Sequence, residues 1–203
     1  MKRWLGTLVG LAVIGAATAQ AAPVAEVMAV LGEAQVDGKP LAVGAKLEAG
    51  VELRTGAKGR VRLKFVDGSS VVISDASRVR IQRFEPAADG KPRDATLWLE
   101  LGLIGQKVAP GGGWEVRTPT AVTAVRGTEF VVEVGGDQAT AVHVQTGQVA
   151  VQASSRTRGI LPKPPVMLDT QADGTQCSAT GCDASKRWSG QRVQDMQSRL
   201  AGV

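Results

Sequence analysis

The chain has 203 residues, and its 24 lysine and arginine residues exceed its 19 acidic residues, which gives a formal net charge of +5. This excess is too small to indicate nucleic-acid binding, which requires a strongly basic face. One histidine, two cysteines and no tyrosine leave few side chains for acid–base catalysis or for a zinc site. The composition therefore favours a binding domain over an enzyme, and no cofactor or metal is predicted.

The first 21 residues have the organisation of a secretory signal peptide. Lys2 and Arg3 form a basic start, Trp4 to Ala17 form an apolar core, and Ala19-Gln20-Ala21 is a small-x-small cleavage site. Because the apolar core is shorter than the ~20 residues of a membrane span, cleavage after Ala21 is favoured over an uncleaved anchor. Removing the two basic residues leaves 22 bases against 19 acids, a mature net charge of +3. We expect a periplasmic protein.

Residues 22–153 read as short valine-rich runs separated by glycines, which predicts a single all-β domain, a sandwich or roll of short antiparallel strands. Alternation places Val61, Leu63 and Phe65 on one face of a strand. "TLWLEL" turns Leu97, Leu99 and Leu101 inward and leaves Trp98 on the opposite face, as a second core layer or as an exposed aromatic side chain. Asp67-Gly68 predicts a hairpin turn. His143, the one histidine, alternates outward and is predicted to be exposed.

Two sets of basic residues alternate outward on two strands that lie close together in the sequence. Arg60, Arg62 and Lys64 share one strand face, and Arg78 and Arg80 share another. If the two strands lie side by side, the five cations form a face for an anionic partner, since like charges repel until a partner relieves them. The alternative is a solvated face whose counter-charges come from Glu129 and Glu133.

Beyond residue 153 the composition changes. Residues 154–176 are polar and proline-rich, which predicts a linker with a possible edge strand at "VMLD". Cys177 and Cys182 enclose a short loop, and an exported protein favours their pairing as a disulfide over two free thiols.

The end of the chain predicts a short amphipathic helix within residues 177–203. Trp188, Arg192, Met196 and Leu200 recur at intervals of four residues, and Asp183 or Ser185 is expected to cap the start. One interpretation is that this helix docks on the β-domain. The alternative is a basic surface helix that binds a membrane or a partner.

"TPTAVTAVRGTEFVVEV" is a corner that leads into a strand. Pro119 fixes φ at a turn, Gly127 supplies a backbone geometry that a side chain would forbid, and Thr128 begins the inward-facing set. Arg126 either holds this corner by hydrogen bonds or meets an anionic ligand.

These motifs together resemble the FecR domain family. "DGS" followed by a serine-containing strand resembles the first half of that domain, and "TP…A…VRGT-x-F" with a terminal "G-x-V-x-V" resembles its second half. The similarity extends over most of Val24 to Ala153. It implies a periplasmic all-β domain, which in the founding members belongs to a regulator that relays occupancy of an outer-membrane iron transporter to an extracytoplasmic sigma factor.

This sequence departs from that plan, since it shows no sigma-binding segment ahead of its apolar stretch and no clear second domain. We therefore expect a stand-alone periplasmic FecR-domain protein that is non-enzymatic and has a binding or sensory role. The alternative is a structural or interaction protein of the envelope that binds an anionic surface or a partner protein.

Overall fold

A computed structural model describes residues 22–88, 93–154, 163–171 and 173–203 of the chain. The predicted signal peptide lies outside this part, as do residues 155–162 of the predicted linker. The described residues form seventeen β-strands and one α-helix at the end of the chain, so the predicted all-β fold with a helical tail is confirmed. The elements in chain order are β1 (Ala25–Leu31), β2 (Ala34–Val36), β3 (Lys39–Pro40), β4 (Lys46–Leu47), β5 (Glu52–Thr55), β6 (Arg60–Phe65), β7 (Ser70–Ile73), β8 (Arg78–Glu85), β9 (Arg93–Lys107), β10 (Gly112–Arg117), β11 (Ala121–Val125), β12 (Glu129–Val134), β13 (Thr140–Thr146), β14 (Val149–Ala153), β15 (Val166–Leu168), β16 (Gly174–Ser178), β17 (Gly181–Cys182) and α1 (Gly190–Leu200).

The strands form two sheets that share the long strand β9. Sheet A has the order β4-β1-β6-β7-β9-β12-β13-β16-β17. Sheet B has the order β3-β2-β5-β8-β9-β10-β11-β14-β15. Among the described pairings, β9 with β10 is the parallel one and the others are antiparallel. The first part of β9 pairs with β8 and β10, and the part from Gly102 onward pairs with β12.

The inner faces of the two sheets meet in one hydrophobic core. Phe65 of sheet A stacks on Phe84 of sheet B at 5.2 Å between ring centroids and meets Trp114 edge-on at 5.1 Å. Val61, Leu63 and Phe65 are all buried, as the alternation of their strand predicts. Full burial of such a side chain contributes about 1.5–3 kcal/mol. The packing of two inner faces on each other makes the fold a sandwich.

The crossing of β9 between the sheets explains one wrong prediction. Leu97 and Leu99 are buried as expected, but Leu101 is 39% exposed. The register of β8 against β9 shifts at this point, so strict alternation ends. Gly102 follows with φ +97°, and an added Cβ there would lie 2.1 Å from the hydroxyl of Ser77. The bulge and this glycine let β9 pass from sheet B into sheet A.

Two strands lie between residues 163 and 178. The predicted edge strand is present as β15, which pairs with β14, and β16 adds a further strand to sheet A. Helix α1 begins later than expected, because Ser189 is its N-cap instead of Asp183 or Ser185. The backbone of Lys186 exchanges two 3.0 Å hydrogen bonds with Gly174, which holds that stretch extended.

Candidate functional site

The Asp-Gly-Ser motif forms part of a buried ion pair. Arg93 and Asp67 are 1% and 10% exposed at their side chains, and the guanidinium contacts the carboxylate directly. Arg93 also donates to the carbonyls of Ala109 (2.9 Å) and Gly112 (3.1 Å). Asp67 accepts from the backbone N–H and the hydroxyl of Ser69 at 2.9 and 2.7 Å. The motif therefore joins the β6–β7 turn to the start of β9. The polar groups of Asp67 and Ser69 are engaged in these hydrogen bonds.

The threonines around Pro119 form a second buried network. The Thr140 hydroxyl lies 2.7 Å from the hydroxyls of both Thr118 and Thr120. Thr118 also accepts from the backbone N–H of Ala121 at 2.9 Å, which closes the turn between β10 and β11. Pro119 stands between the two threonines and is half-buried. The turn is held to β13 by these hydroxyl groups.

The Arg-Gly-Thr corner has a similar role. Gly127 has φ +62°, in the left-handed region that favours glycine. Thr128 is buried, and its hydroxyl lies 3.1 Å from the carbonyl of Gln148 and 3.3 Å from that of Arg126. The Arg126 side chain is exposed, and the corner is joined through its backbone carbonyl. The backbone of Gly127 and the hydroxyl of Thr128 thus both lie at this corner, between β11 and β12.

The outer face of sheet A carries an apolar strip, defined here as Leu103 and Gly105 of β9, Val131 of β12 and Ala141 of β13. Gly105 pairs with Val131, and Leu103 and Ala141 both pair with Glu133 on neighbouring strands. The three side chains are at most 7% exposed. A solvated outer face would carry polar residues at these positions, so the strip is made to be covered.

The C-terminal segment covers this strip. Met196 of α1 is 4% exposed and clusters with Leu103, Val131, Ala141 and Trp188, and Val193 and Leu200 pack against the same cluster. Leu200 fits over Gly105, where an added Cβ would lie 2.7 Å from a Leu200 methyl group. The predicted docking of the helix on the β-domain is therefore what the structure shows.

Polar contacts hold the end of α1 on sheet A. The Ser74 hydroxyl lies 2.8 Å from the carbonyl oxygen of Arg199 and 2.7 Å from a carboxylate oxygen of Asp75. Arg60 donates to the carbonyl of Ala201 at 2.5 Å. Arg62 donates to the carbonyl of Val203. The Arg199 carbonyl is one of the last four of α1, which have no partner within the helix. The two arginines fix the residues that directly follow the helix, near its negative end.

The Arg199 side chain adds two ion pairs to this anchor. It contacts Glu133 of β12 and lies 3.4 Å from Asp75, which follows β7. Burial raises the pKa of Asp75, but the hydrogen bond from Ser74 and the charge of Arg199 outweigh it and leave that pKa below its usual value. The helix is thus attached to two strands that flank β9.

His143 lies in a stack at the other end of the strip, so its predicted exposure is wrong. Its ring centroid is 5.6 Å from that of Trp188. The guanidinium carbon of Arg192 lies 3.5 Å from the centroid of the same Trp188 ring. Asp173 approaches the His143 Nε2 atom at 3.7 Å. Burial lowers the pKa of His143 below its ordinary value, against the opposing effect of Asp173. Sequence alternation missed this burial because the covering residues lie some 45 positions along the chain.

The structure does not bring the five predicted cations together. Arg60, Arg62 and Lys64 lie on β6 in sheet A, whereas Arg78 and Arg80 lie on β8 in sheet B, so the two sets occupy opposite outer faces. The counter-charges also differ from those expected. Arg78 pairs with Glu100, and Arg80 pairs with Glu52, whose pKa is lowered chiefly by its hydrogen bond with Arg80.

The cysteines form the disulfide that the sequence favours. Cys177 and Cys182 are bonded and join β16 to β17. Within the described residues, no group of three or more histidine, cysteine, aspartate or glutamate side chains could hold a metal ion. Across the same part of the chain, no helix is both long and apolar enough to span a bilayer. Beside His143, Asp173 and Trp188 lies a shallow groove of 570 Å³.

Comparison with known proteins agrees with the sequence motifs. Residues 51–150 match the family model described as FecR protein, which confirms the predicted resemblance. No curated protein matches the chain. Two crystal structures of a candidate anti-sigma factor from Parabacteroides distasonis are similar, at 22% and 21% identity with TM-scores of 0.46 and 0.45. Each alignment covers 70% of this chain and 62% of the other, so the chain spans less than two thirds of those structures.

Proposed function

We propose that this chain, a FecR-family protein over residues 51–150, is a non-enzymatic regulatory domain of the periplasm that binds a protein partner through the apolar strip of sheet A. The observation that carries the proposal is the occupation of this strip by α1, which lies outside the matched region. The strip accepts the apolar face of a short amphipathic helix. A partner that presents a helix with the same spacing of apolar residues fits it equally well.

Exchange of α1 for a partner helix is energetically accessible. The helix has 11 residues, and isolated helices shorter than ~12–15 residues are marginal in water, so its order depends on docking. Of its side chains only Met196 is fully buried, with Val193 and Leu200 partly buried. Docking therefore contributes a few kcal/mol at about 1.5–3 kcal/mol for each fully buried side chain, which a better-matched helix can exceed.

The proposal is tested with a peptide that carries residues 184–203, added to the full-length protein. Met196→Asp places a charge against the apolar strip and is expected to release α1. The variant should then bind the peptide in isothermal titration, whereas the wild type, whose strip is occupied, should bind it far more weakly. Gln194→Asp is the matched control, because residue 194 lies on the exposed face of α1. Equal binding of the peptide by all three proteins would place its contact elsewhere.

The support for a non-catalytic role is the use of the motif residues in the fold. Asp67, Ser69 and Thr128 each form a hydrogen bond with a distant part of the chain, with Arg93, Ala109 and Gln148 respectively. Export to the periplasm is supported by the pattern of residues 1–21. Intact-mass measurement of protein from the periplasmic fraction should show loss of those 21 residues. Full-length protein in the membrane fraction would contradict a periplasmic domain.

A second candidate function, contact with an anionic surface of the envelope, is favoured by a separate observation. Cationic and exposed apolar side chains share the edge of sheet A that is formed by β4, β1 and β6.

A further inference from the structure

The edge of sheet A formed by β4, β1 and β6 is strongly basic. These strands carry four cationic side chains, Lys46, Arg60, Arg62 and Lys64, against one carboxylate, Glu26, so their local net charge is +3. Strand pairing places Lys46 and Lys64 on either side of Glu26, on the outer face of the sheet. The four cations thus lie along one surface.

Exposed apolar side chains lie on the same edge. Leu31 pairs with Arg60 and is 47% exposed. Met28 is the extra residue of a β-bulge opposite Arg62, and it is 50% exposed. Residues directly opposite each other in an antiparallel pair share a face, so Leu31 stands next to Arg60. Met28 precedes Ala29, the residue that pairs with Arg62.

Two further exposed valines extend this patch. The loop that contains Val43 lies along β1, because the carbonyl of Val27 accepts from the N–H of Gly44 at 2.8 Å. Val66 follows β6 and lines a small groove of 280 Å³ together with Lys46 and Lys64. Four of the six large apolar side chains exposed in the described part of the chain therefore belong to this edge: Met28, Leu31, Val43 and Val66.

We infer that this edge is a docking surface for an anionic lipid bilayer. Each Lys or Arg near an anionic membrane contributes about 1 kcal/mol, while exposed aliphatic side chains enter the boundary between headgroups and acyl chains. Lysine is depleted in protein–protein interfaces, so the two lysines beside Glu26 favour a lipid surface over a protein partner. Arg60 and Arg62 also donate to carbonyls that follow α1. Lys46 and Lys64 are therefore the cations of this edge whose membrane contact leaves the α1 anchor undisturbed, and they are the ones replaced in the test.

The chemistry of the surface predicts a two-part response to salt. The charge contribution weakens as ionic strength rises, because exposed charges are screened beyond about 8 Å under physiological conditions. The apolar contribution persists at high salt. A purely ionic contact would be lost completely in the same titration.

The test is co-sedimentation of the mature protein with vesicles of phosphatidylglycerol and phosphatidylcholine, across a salt series. Lys46→Gln with Lys64→Gln should weaken binding about 30-fold at low salt, from about 1 kcal/mol for each cation. Arg78→Gln with Arg80→Gln is the matched control on the opposite face, and it should bind like the wild type. Lys46→Gln alone should bind the vesicles about 5-fold more weakly than the wild type, from about 1 kcal/mol for one cation. This single variant replaces the double variant if the double variant is unstable.

The apolar part is tested by Met28→Ser with Val43→Ser, which should reduce the binding that survives high salt. Met167→Ser is its control, since Met167 is 55% exposed on the edge of sheet B. Equal sedimentation with vesicles of phosphatidylcholine alone would overturn the inference. The inference would also be overturned if the Arg78 and Arg80 control lost as much vesicle binding as the variant of Lys46 and Lys64. Binding to polyglutamate without binding to vesicles would likewise overturn it, and would indicate an acidic protein as the partner.

Discussion

Removal of the Asp67 carboxylate should destabilise the protein strongly, because it leaves the Arg93 charge buried. The Arg93 side chain is 1% exposed, and Asp67 is the carboxylate it contacts. Deleting one partner of a buried ion pair costs about 3–5 kcal/mol. Domains of this size are stable by about 5–15 kcal/mol. Asp67→Ala is therefore expected to remove a large part of the total stability, with a partly unfolded population at physiological temperature.

The same protein offers an exposed pair as the control. Arg83 and Asp94 form an ion pair whose side chains are 51% and 47% exposed, and such surface pairs contribute about 0–1 kcal/mol. Asp94→Ala should thus shift the urea midpoint only slightly. The double variant Asp67→Ala with Arg93→Met should recover part of the loss, since no buried charge then remains unpaired.

The assay is equilibrium unfolding in urea, followed by tryptophan fluorescence. Trp114 is buried in the core next to Arg93, so its emission reports on the region that carries the pair. Free energies of unfolding are compared between variants whose dependence on urea concentration has the same slope, because an equal slope shows that the same amount of surface is exposed on unfolding. Similar losses for Asp67→Ala and Asp94→Ala would refute the reasoning, because burial would then make no difference to the ion pair.

Three further predictions concern the tail. Gly174→Ala should displace Trp188, because an added Cβ would lie 2.2 Å from its ring. Since Trp188 packs in the same cluster as Met196 of α1, the amides of α1 should then exchange hydrogen faster. Unchanged exchange would contradict this prediction. Stability should fall as pH drops from 7 to about 5, because burial keeps the pKa of His143 below its unfolded value and the unfolded chain therefore binds the proton first. Urea midpoints measured across this pH range test it. A midpoint that falls as much in His143→Gln as in the wild type would exclude His143 as the cause. Joint replacement of Cys177 and Cys182 by alanine should cost about 2 kcal/mol, the loop-entropy value for so short a loop, and thermal unfolding of both forms measures it.

Local patterns in the sequence were sufficient to predict individual strands and which of their side chains face the core. The alternation in β6 correctly placed Val61, Leu63 and Phe65 in the core, because side-chain direction in a strand depends only on neighbouring residues. Four-residue spacing likewise identified the helix and its apolar face, including Met196. In each case the information lies within a few residues of the element.

Errors arose where distant parts of the chain meet. β9 changes sheets at Gly102, so that β6 with Arg62 belongs to sheet A and β8 with Arg80 belongs to sheet B, although the two strands lie close in the sequence. The burial of His143 depends on Trp188, a residue of a later segment. The role of Asp67 depends on Arg93 in the same way. Pairings of this kind are set by sheet order, and alternation within one strand carries no information about sheet order.

The central claim is that the outer face of sheet A binds the apolar side of α1. Nuclear Overhauser contacts between methyl groups in the full-length protein test it most directly. The account predicts cross-peaks from the Met196 methyl to Leu103 and Val131, since these side chains form one cluster. These cross-peaks should disappear in Met196→Asp and persist in Gln194→Asp. A wild-type spectrum in which the Met196 methyl shows contacts only within its own helix would contradict the account.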